Sequence, residues 1–258
     1  MSIAKRVPIS SDRFDAVIFD LDGVITDTAR VHAAAWTRLF DDYLAAHAPD
    51  GVDAAPFSHE DYLRHVDGRS RIDGVEMFLA ARGISLPRGT PDDPPDFATA
   101  WSLANRKNLL FRESLAADGV DAFTDAVQAV EAIRAGGLHT AVVTASRNRA
   151  EVLAAAGLSD LFDVSVDGLD CAALELPGKP DPAPFLEAAR RLGVDPARAV
   201  LVEDALPGVE AGRRGRFGLV IGVDRHGDGT QLLDHGADVA VADLSVIAVE
   251  PRPPDRRS

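Results

Sequence analysis

The sequence contains a single cysteine, an excess of acidic over basic residues, and no long apolar run. Cys171 cannot form an internal disulfide, which fits a reducing compartment, and we expect a small buried apolar residue rather than a nucleophile. The formal charge of -14 excludes nucleic acid or an anionic membrane as the main partner, because both require a basic face. No apolar run reaches the roughly 18 residues needed to cross a bilayer, and residues 1–13 lack a signal-peptide core. We therefore expect a soluble cytoplasmic protein, and as a separate expectation we take it to be a monomer.

Short β-branched runs alternate with amphipathic stretches through the second half of the chain. The runs that we predict as strands are 16–19, 140–143, 164–166, 199–202, 219–223 and 239–241. Apolar residues at helical spacing lie between them: Phe123, Val127, Val130 and Ile133, and later Phe185, Leu186, Ala189 and Leu192. This alternation is typical of an α/β fold with a parallel sheet flanked by helices.

The segment 29–115 differs, because it shows helical patterns and no convincing strand. Its apolar residues recur in three groups: Trp36, Leu39, Phe40 and Tyr43; Ile72, Val75, Phe78 and Leu79; Phe97, Trp101, Leu109 and Leu110. We predict a helical domain at 29–115, inserted into an α/β core made of 1–28 and 116–258. Within it, the proline-rich stretch 87–95 is predicted to be a surface connection. The Pro- and Arg-rich residues 250–258 are predicted to be a disordered tail.

Two acidic pairs follow two of the predicted strands. Asp20 and Asp22 come after the first strand, and Glu203 and Asp204 come after the fourth. The carboxyl ends of parallel strands meet at one edge of a sheet, where ligands of open α/β sheets collect. Carboxylates crowded there repel each other unless a cation or a shared proton offsets their charge. The pattern therefore predicts a hard divalent cation, an acid/base role, or both.

Two further segments carry anion-binding chemistry. Thr144, Ser146 and Asn148 follow a predicted strand and precede a helical pattern, and hydroxyls with free amides at a helix start attract anions. The same residues are also typical of an ordinary N-cap, so both interpretations stay open. Lys179 lies between the turn-forming residues Gly178 and Pro180; taken alone, such a lysine is either a solvated loop residue or a partner for an anion.

The order of these four clusters resembles the haloacid dehalogenase superfamily of phosphotransferases, from about residue 14 to residue 244. The resemblance implies that Asp20 is a nucleophile that becomes an aspartyl phosphate and that Asp22 is the general acid/base. It implies that Thr144 and Lys179 hold the transferring phosphoryl group, and that the helical insert is a mobile cap. The metal ligands that it implies for Mg²⁺ are Asp20, Asp22, Glu203 and Asp204.

Within that superfamily, the inserted segment resembles the cap of the β-phosphoglucomutases. The resemblance rests on Thr26-Asp27-Thr28 with His32 and Trp36, on Gly68 to Asp73, on Asn105-Arg106-Lys107-Asn108, and on Ser146-Arg147-Asn148. The substrate-binding residues that it implies are His32, Trp36, Gly68, Arg69, Ser70, Arg71, Lys107, Ser146, Arg147 and Asn148. Charge favours the same conclusion, because a second phosphate beside four acidic groups needs further cations, and Arg69, Arg71, Lys107 and Arg147 are available.

Simpler interpretations of the helical residues stay open. His32 and Trp36 are four residues apart and would also fit the buried stripe of a helix. Arg69, Arg71 and Lys107 would also fit solvated surface positions. Two positions depart from the mutase pattern, which has lysine where this chain has Asp67 and serine where it has Gly74.

Three functions are compatible with these features. The first is a Mg²⁺-dependent β-phosphoglucomutase, a phosphoprotein in each cycle, which converts β-glucose 1-phosphate to glucose 6-phosphate through glucose 1,6-bisphosphate. The second is a sugar-phosphate phosphatase in which water resolves the same aspartyl phosphate. The third is a non-enzymatic phospho-acceptor module, which also clusters aspartates and a lysine beside a strand. The inserted helical segment favours the enzymes.

Overall fold

The computed structural model describes residues 4–49, 51–225, 227 and 229–250, which fall into two compact units. Unit 1 takes its residues from Met1–Thr26 and Ala122–Ser258, and unit 2 takes its residues from Asp27–Asp121. The predicted insertion at 29–115 lies inside unit 2, and its role as a cap stays a prediction. Over the described ranges, every helix is too short or too polar to span a bilayer.

Unit 1 is built on a parallel sheet. The strands of its described part are β1 (Val7–Ser10), β2 (Ala16–Asp20), β3 (His139–Val143), β4 (Val164–Val166), β5 (Ala199–Glu203), β6 (Leu219–Val223), β7 (Val239–Val241) and β8 (Ile247–Glu250). Six of them form one parallel sheet in the order β4-β3-β2-β5-β6-β7, and these are the six strands predicted from the sequence. Every residue of β2 and β5 is buried, which is why both read as continuous apolar runs rather than as alternating ones.

A second, two-stranded sheet was not predicted. β1 and β8 pair in parallel, with Val7 opposite Ile247 and Ser10 opposite Glu250. β1 contains a proline and β8 has no fully buried residue, so neither resembles the buried central strands. Glu250, which the sequence assigned to the disordered tail, is therefore the last residue of β8. The rest of the predicted tail lies outside the described residues.

Helices flank the central sheet, which confirms the predicted fold class. In unit 1 they are α5 (Thr124–Ala135), α6 (Arg149–Ala155), α7 (Gly168–Ala173), α8 (Ala183–Leu192), α9 (Leu206–Arg214) and α10 (Thr230–His235). α8 places Phe185 and Ala188 in the same buried cluster as Ile18 of β2 and Val143 of β3. It ends at Gly193, whose φ of +71° is the left-handed conformation that glycine adopts at helix ends.

Unit 2 is helical and has an aromatic core. Its helices are α1 (Ala29–His47), α2 (His59–Asp61), α3 (Arg71–Ala81) and α4 (Ala100–Asp118), with a π-helical turn at Tyr62–Val66. The ring of Phe40 lies 4.0 Å from that of Phe78 and 5.1 Å from that of Phe57, measured between centroids. The apolar stripe predicted from Phe97, Trp101, Leu109 and Leu110 falls largely in α4 and was partly wrong, because Leu109 is 45% exposed while Leu110 is buried. The stretch 87–95 is mostly exposed and connects α3 to α4, as predicted.

Candidate active site

Two acidic residues end neighbouring strands at the centre of the sheet. Asp20 is the last residue of β2 and Glu203 is the last residue of β5, and the two strands pair in parallel. The chain order reverses between them, because β3 and β4 lie on one side of β2 while β5, β6 and β7 lie on the other. The crevice at such a reversal is where open α/β sheets bind their ligands. Both carboxylates are buried, so their charge needs local compensation.

Lys179 supplies part of that compensation. Its side chain is only 3% exposed, and its ammonium group bonds to the carboxylates of both Asp20 and Glu203. The ammonium also lies 4.9 Å from the ring centroid of Phe185 in α8, a favourable cation–π position. The structure therefore excludes the interpretation of Lys179 as a solvated loop residue.

Burial and neighbouring charge act on this pair in opposite ways. Burial raises the pKa of Asp20 well above its usual value, while the Lys179 ammonium lowers it and the nearby Glu203 and Asp22 raise it further. For Lys179, burial alone would lower the pKa, but the Asp20 and Glu203 carboxylates raise it above its usual range. Lys179 therefore keeps its proton, and the site holds more acidic groups than cations.

A group of three carboxylates is suited to a metal ion. One oxygen each from Asp20, Glu203 and Asp204 lies within 4.8 Å of the others. Oxygen ligands of this kind select hard divalent cations such as Mg²⁺, and one such ion would balance the excess negative charge. Asp22, the fourth predicted ligand, is not a member of this group, so its side-chain role in metal binding stays a prediction.

The carboxylate of Asp22 instead faces the segment after β3. It accepts a hydrogen bond from the hydroxyl of Thr144 at 2.6 Å, and the Asp22 amide donates to Asp20 at 2.9 Å. The Thr144 hydroxyl accepts from the amide of Ser146, and the Ser146 hydroxyl accepts from the amide of Asn148. α6 begins at Arg149, so Asn148 occupies its N-cap position and Thr144 does not. The segment 144–148 is thus tied to the acidic pair.

Two glycines make room for the carboxylates, and no sequence pattern predicted a role for either. At Gly23, with φ +91°, a Cβ atom would lie 1.9 Å from Oδ2 of Asp204. At Gly208, near the start of α9, a Cβ atom would lie 1.7 Å from Oε1 of Glu203. The available signal was a glycine directly after Asp22 and another soon after the second acidic pair, which marks close approach only once the fold is known.

Within unit 2, Lys107 of α4 is buried, which excludes the interpretation of this lysine as a solvated surface residue. It is 4% exposed, and its ammonium lies 2.5 Å from Nδ1 of His32. The same ammonium lies 5.0 Å from the ring centroid of Trp36 and 5.1 Å from that of Phe111. Trp36 itself belongs to the buried stripe of α1. Burial removes the hydration of the ammonium, and the contacts with His32 and the two rings offset part of that cost. The substrate-binding role of this cluster stays a prediction.

Residues 68–73 form the start of α3 and the turn that precedes it. Ser70 is the N-cap of α3, accepting from the amide of Asp73 at 3.3 Å and donating to its carboxylate at 2.6 Å. Arg71, half-buried, donates to Oδ1 of Asn105 at 3.1 Å, and Gly68 has a φ of +65°. Arg69 is half-buried as well.

The departure from the mutase pattern at Gly74 has a physical reason. A Cβ atom there would lie 3.1 Å from Cγ1 of Val66 and 3.3 Å from the ring of Trp36. A serine would therefore require both neighbours to shift. Nothing in the structure explains Asp67 in place of lysine.

Comparison with known proteins identifies the family. A sequence profile of the haloacid dehalogenase-like hydrolases matches residues 14–216. The chain belongs to this family. It is 44% identical to a β-phosphoglucomutase of Mycobacterium tuberculosis over 94% of this chain and 95% of the relative. It is also 44% identical, over 91% of its length, to part of a longer M. tuberculosis protein named an uncharacterized glycosyl hydrolase, of which the match covers 18%.

Solved structures agree on the fold of this haloacid dehalogenase-like chain. The β-phosphoglucomutase of Clostridium difficile superposes with a TM-score of 0.69 at 24% identity, covering 90% of this chain and 92% of that chain. A likeness at that identity supports the fold alone. Together with the enzymes among its relatives, membership in the family shows that the chain is an enzyme, which excludes a non-enzymatic phospho-acceptor module.

Proposed function

We propose that the protein is a Mg²⁺-dependent β-phosphoglucomutase that converts β-glucose 1-phosphate to glucose 6-phosphate through glucose 1,6-bisphosphate. The observation that carries the proposal is the buried Asp20 carboxylate beside Lys179, with a second acid, Asp22, two residues away. The 44% identity to a mycobacterial β-phosphoglucomutase over nearly the whole chain supports the choice of substrate. A 44% identical segment within a chain named a glycosyl hydrolase favours carbohydrate chemistry as well.

Each half-reaction moves one phosphoryl group and one proton. An oxygen of Asp20 attacks phosphorus, the bond from phosphorus to the sugar oxygen breaks, and Asp22 gives its proton to that oxygen. In the reverse sense, a hydroxyl of the bound sugar attacks the aspartyl phosphate, its proton passes to Asp22, and Asp20 is regenerated. Lys179 and Thr144 hold the oxygens of the transferring group.

The acidic charge around Asp20 is the main obstacle to attack on a phosphate. Asp20, Glu203 and Asp204 would hold Mg²⁺, which supplies the positive charge that screens the nucleophile and the phosphoryl oxygens from each other. The proposal keeps Asp22 for proton transfer, because its carboxylate bonds to Thr144 and lies outside the three-carboxylate group.

A phosphorus NMR time course tests the assignment. The protein is mixed with β-glucose 1-phosphate, Mg²⁺ and a trace of glucose 1,6-bisphosphate. We expect glucose 6-phosphate to accumulate, and an Asp20→Asn variant to leave the substrate unchanged. Accumulation of inorganic phosphate with glucose would instead support a sugar-phosphate phosphatase, the alternative that the family's description as hydrolases favours. The cytoplasmic location and monomeric state stay predictions.

A further inference from the structure

Arg225 is bound to the turn that carries the proposed acid/base. It follows β6, and its guanidinium group donates to the carbonyl oxygens of Val24 at 3.1 Å and Gly23 at 3.4 Å. It also donates to both carboxylate oxygens of Asp125, at 3.2 and 3.1 Å. Its Cζ atom lies 3.6 Å from the ring centroid of Phe123. A planar group held by a carboxylate, by two carbonyls and by a ring against its face has little freedom to move.

The turn benefits from such a donor because its own amides donate to the carbonyl groups of other residues. The amides of Ile25 and Thr26 both donate to the carbonyl of Leu21 at 3.0 Å, and the amide of Gly23 donates to the carbonyl of Thr26 at 2.8 Å. The carbonyl groups of Gly23 and Val24 accept from Arg225 instead. Arg225 thereby fixes Gly23 and Val24, the part of the turn whose carbonyl groups do not accept from the turn's own amides named above.

Asp125 anchors the arginine in turn. It lies in the first turn of α5, and its Oδ2 atom accepts from the amide of Leu244 at 2.7 Å. Its side chain is 19% exposed and that of Arg225 is 14% exposed, so this ion pair is shielded from solvent. A pair with these partners is more rigid than a surface ion pair.

We propose that Arg225, oriented by Asp125 and Phe123, is a positioning residue for phosphoryl transfer. By fixing Gly23 and Val24 it fixes the neighbouring Asp22, whose carboxyl group must stay beside the leaving oxygen to protonate it. The inference rests on the proposed function.

If Arg225 acts by positioning Asp22, its loss should affect two phosphoryl donors differently, whereas general damage to the fold should affect both equally. A sugar hydroxyl is a poor leaving group, so phosphorylation of Asp20 by glucose 1,6-bisphosphate needs the proton from Asp22. The carboxylate released from acetyl phosphate leaves without a proton. Displacement of Asp22 should therefore slow phosphorylation by the sugar phosphate selectively.

The experiment measures Asp20 phosphorylation by rapid quench in Arg225→Met, with each of the two phosphoryl donors and Mg²⁺. We expect the rate with glucose 1,6-bisphosphate to fall about 10- to 100-fold and the rate with acetyl phosphate to change less than about threefold. Arg198→Met is the matched control, because Arg198 also pairs with an aspartate, Asp15, but precedes β5 at the amino end of the sheet. The control should leave both rates unchanged.

Equal losses with both donors, or no loss with either, would overturn the inference while leaving the proposed function in place. A wild-type protein that neither donor phosphorylates would contradict the proposed function, and the inference with it. If Arg225→Met does not fold, Arg225→Lys takes its place, since an ammonium has three donors and cannot make all four of the arginine's bonds. The same selective loss is expected of it, smaller in size.

Discussion

Lys179 explains how the site tolerates its acidic charge. One ammonium group, bonded to the buried carboxylates of Asp20 and Glu203, offsets part of the electrostatic cost of placing them side by side. Buried charges are stable only when they are paired and hydrogen-bonded. The remaining acidic charge, including that of Asp204, is suited to the divalent cation that the proposed chemistry requires.

Gly23 permits the close approach of Asp204, so its replacement should damage catalysis. In Gly23→Ala the new Cβ atom would lie 1.9 Å from Oδ2 of Asp204, and the backbone φ is +91°. We expect turnover to fall by at least about 100-fold, since a displacement of about 1 Å near the chemistry can cost that much. The Mg²⁺ concentration for half-maximal activity should rise as well, and steady-state assays across a Mg²⁺ series measure both.

Gly157→Ala is the matched control for this substitution. Gly157 also has a positive φ, +72°, but a Cβ atom there meets nothing within 4 Å. It should show the backbone penalty of about 1 kcal/mol in the free energy of unfolding, with activity and Mg²⁺ dependence retained. Equal effects of the two substitutions on Mg²⁺ dependence would contradict the role given to Gly23.

The sequence predicted which residues carry the chemistry better than it predicted how closely distant segments approach each other. Asp20 and Glu203 were predictable because acidic pairs after strands form a recognisable pattern, whereas a role for Lys179 followed only from the resemblance of the four clusters to the haloacid dehalogenase superfamily. The room that Gly23 and Gly208 leave for the carboxylates was not, because it depends on how close two distant segments come. Burial of Lys107 was missed for the same reason, since its aromatic neighbours come from two helices.

Among the strands, predictability followed burial. The central strands were predictable because full burial gives continuous apolar runs bounded by polar residues. β1 and β8 were not, because β1 contains a proline, β8 has no fully buried residue, and the two pair across almost the whole chain. Cys171, expected to be buried, is half-buried against the sheet core, and burial raises the pKa of its thiol, in keeping with an unreactive residue.

An ion-pair network centred on Glu187 stabilises α8. Its carboxylate accepts from Arg190 at 2.6 and 2.8 Å and from Arg191 at 2.8 Å, and Arg191 also reaches Asp170 of α7. These bonds, led by those from Arg190, lower the pKa of Glu187 from 4.5 to about 2. Because the pKa is depressed in the folded state, the stabilisation is present above the unfolded value and is lost as the pH falls toward 2.

Glu187→Gln should therefore lower the free energy of unfolding at neutral pH by about 1 kcal/mol, a small value because Arg190 is largely exposed. The gap from wild type should close as the pH falls between 4.5 and about 2. Denaturant unfolding along a pH series measures it. In the control Glu210→Gln, which breaks the exposed pair with Arg214 in α9, the change should stay within about 0.5 kcal/mol. A gap that is constant down to acid pH would contradict the assignment.

At the scale of the whole molecule, each unit has its own apolar core. Phe78 is fully buried in the aromatic core of unit 2, and Ile133 is fully buried in unit 1. Phe78→Ala should cost about 3–5 kcal/mol. We expect hydrogen exchange, followed by mass spectrometry, to accelerate in residues 27–121 of this variant while β2, β3 and β5 keep their protection.

Ile133→Ala is the reciprocal variant for this measurement. It should accelerate exchange in unit 1 first. Acceleration spread evenly over both units in each variant would show that the two cores unfold as one, against the division described here.

In the proposed mechanism, Asp20 carries the phosphoryl group in every catalytic cycle. The most direct measurement is rapid acid quench of the protein with glucose 1,6-bisphosphate and Mg²⁺, followed by peptide mapping by mass spectrometry. We expect one phosphoryl group per chain, confined to the peptide that contains Asp20 and absent from an Asp20→Asn variant. A phosphoryl group on Thr144 or Ser146 instead, or turnover of the sugar phosphate with no labelled Asp20 at any time, would contradict the account.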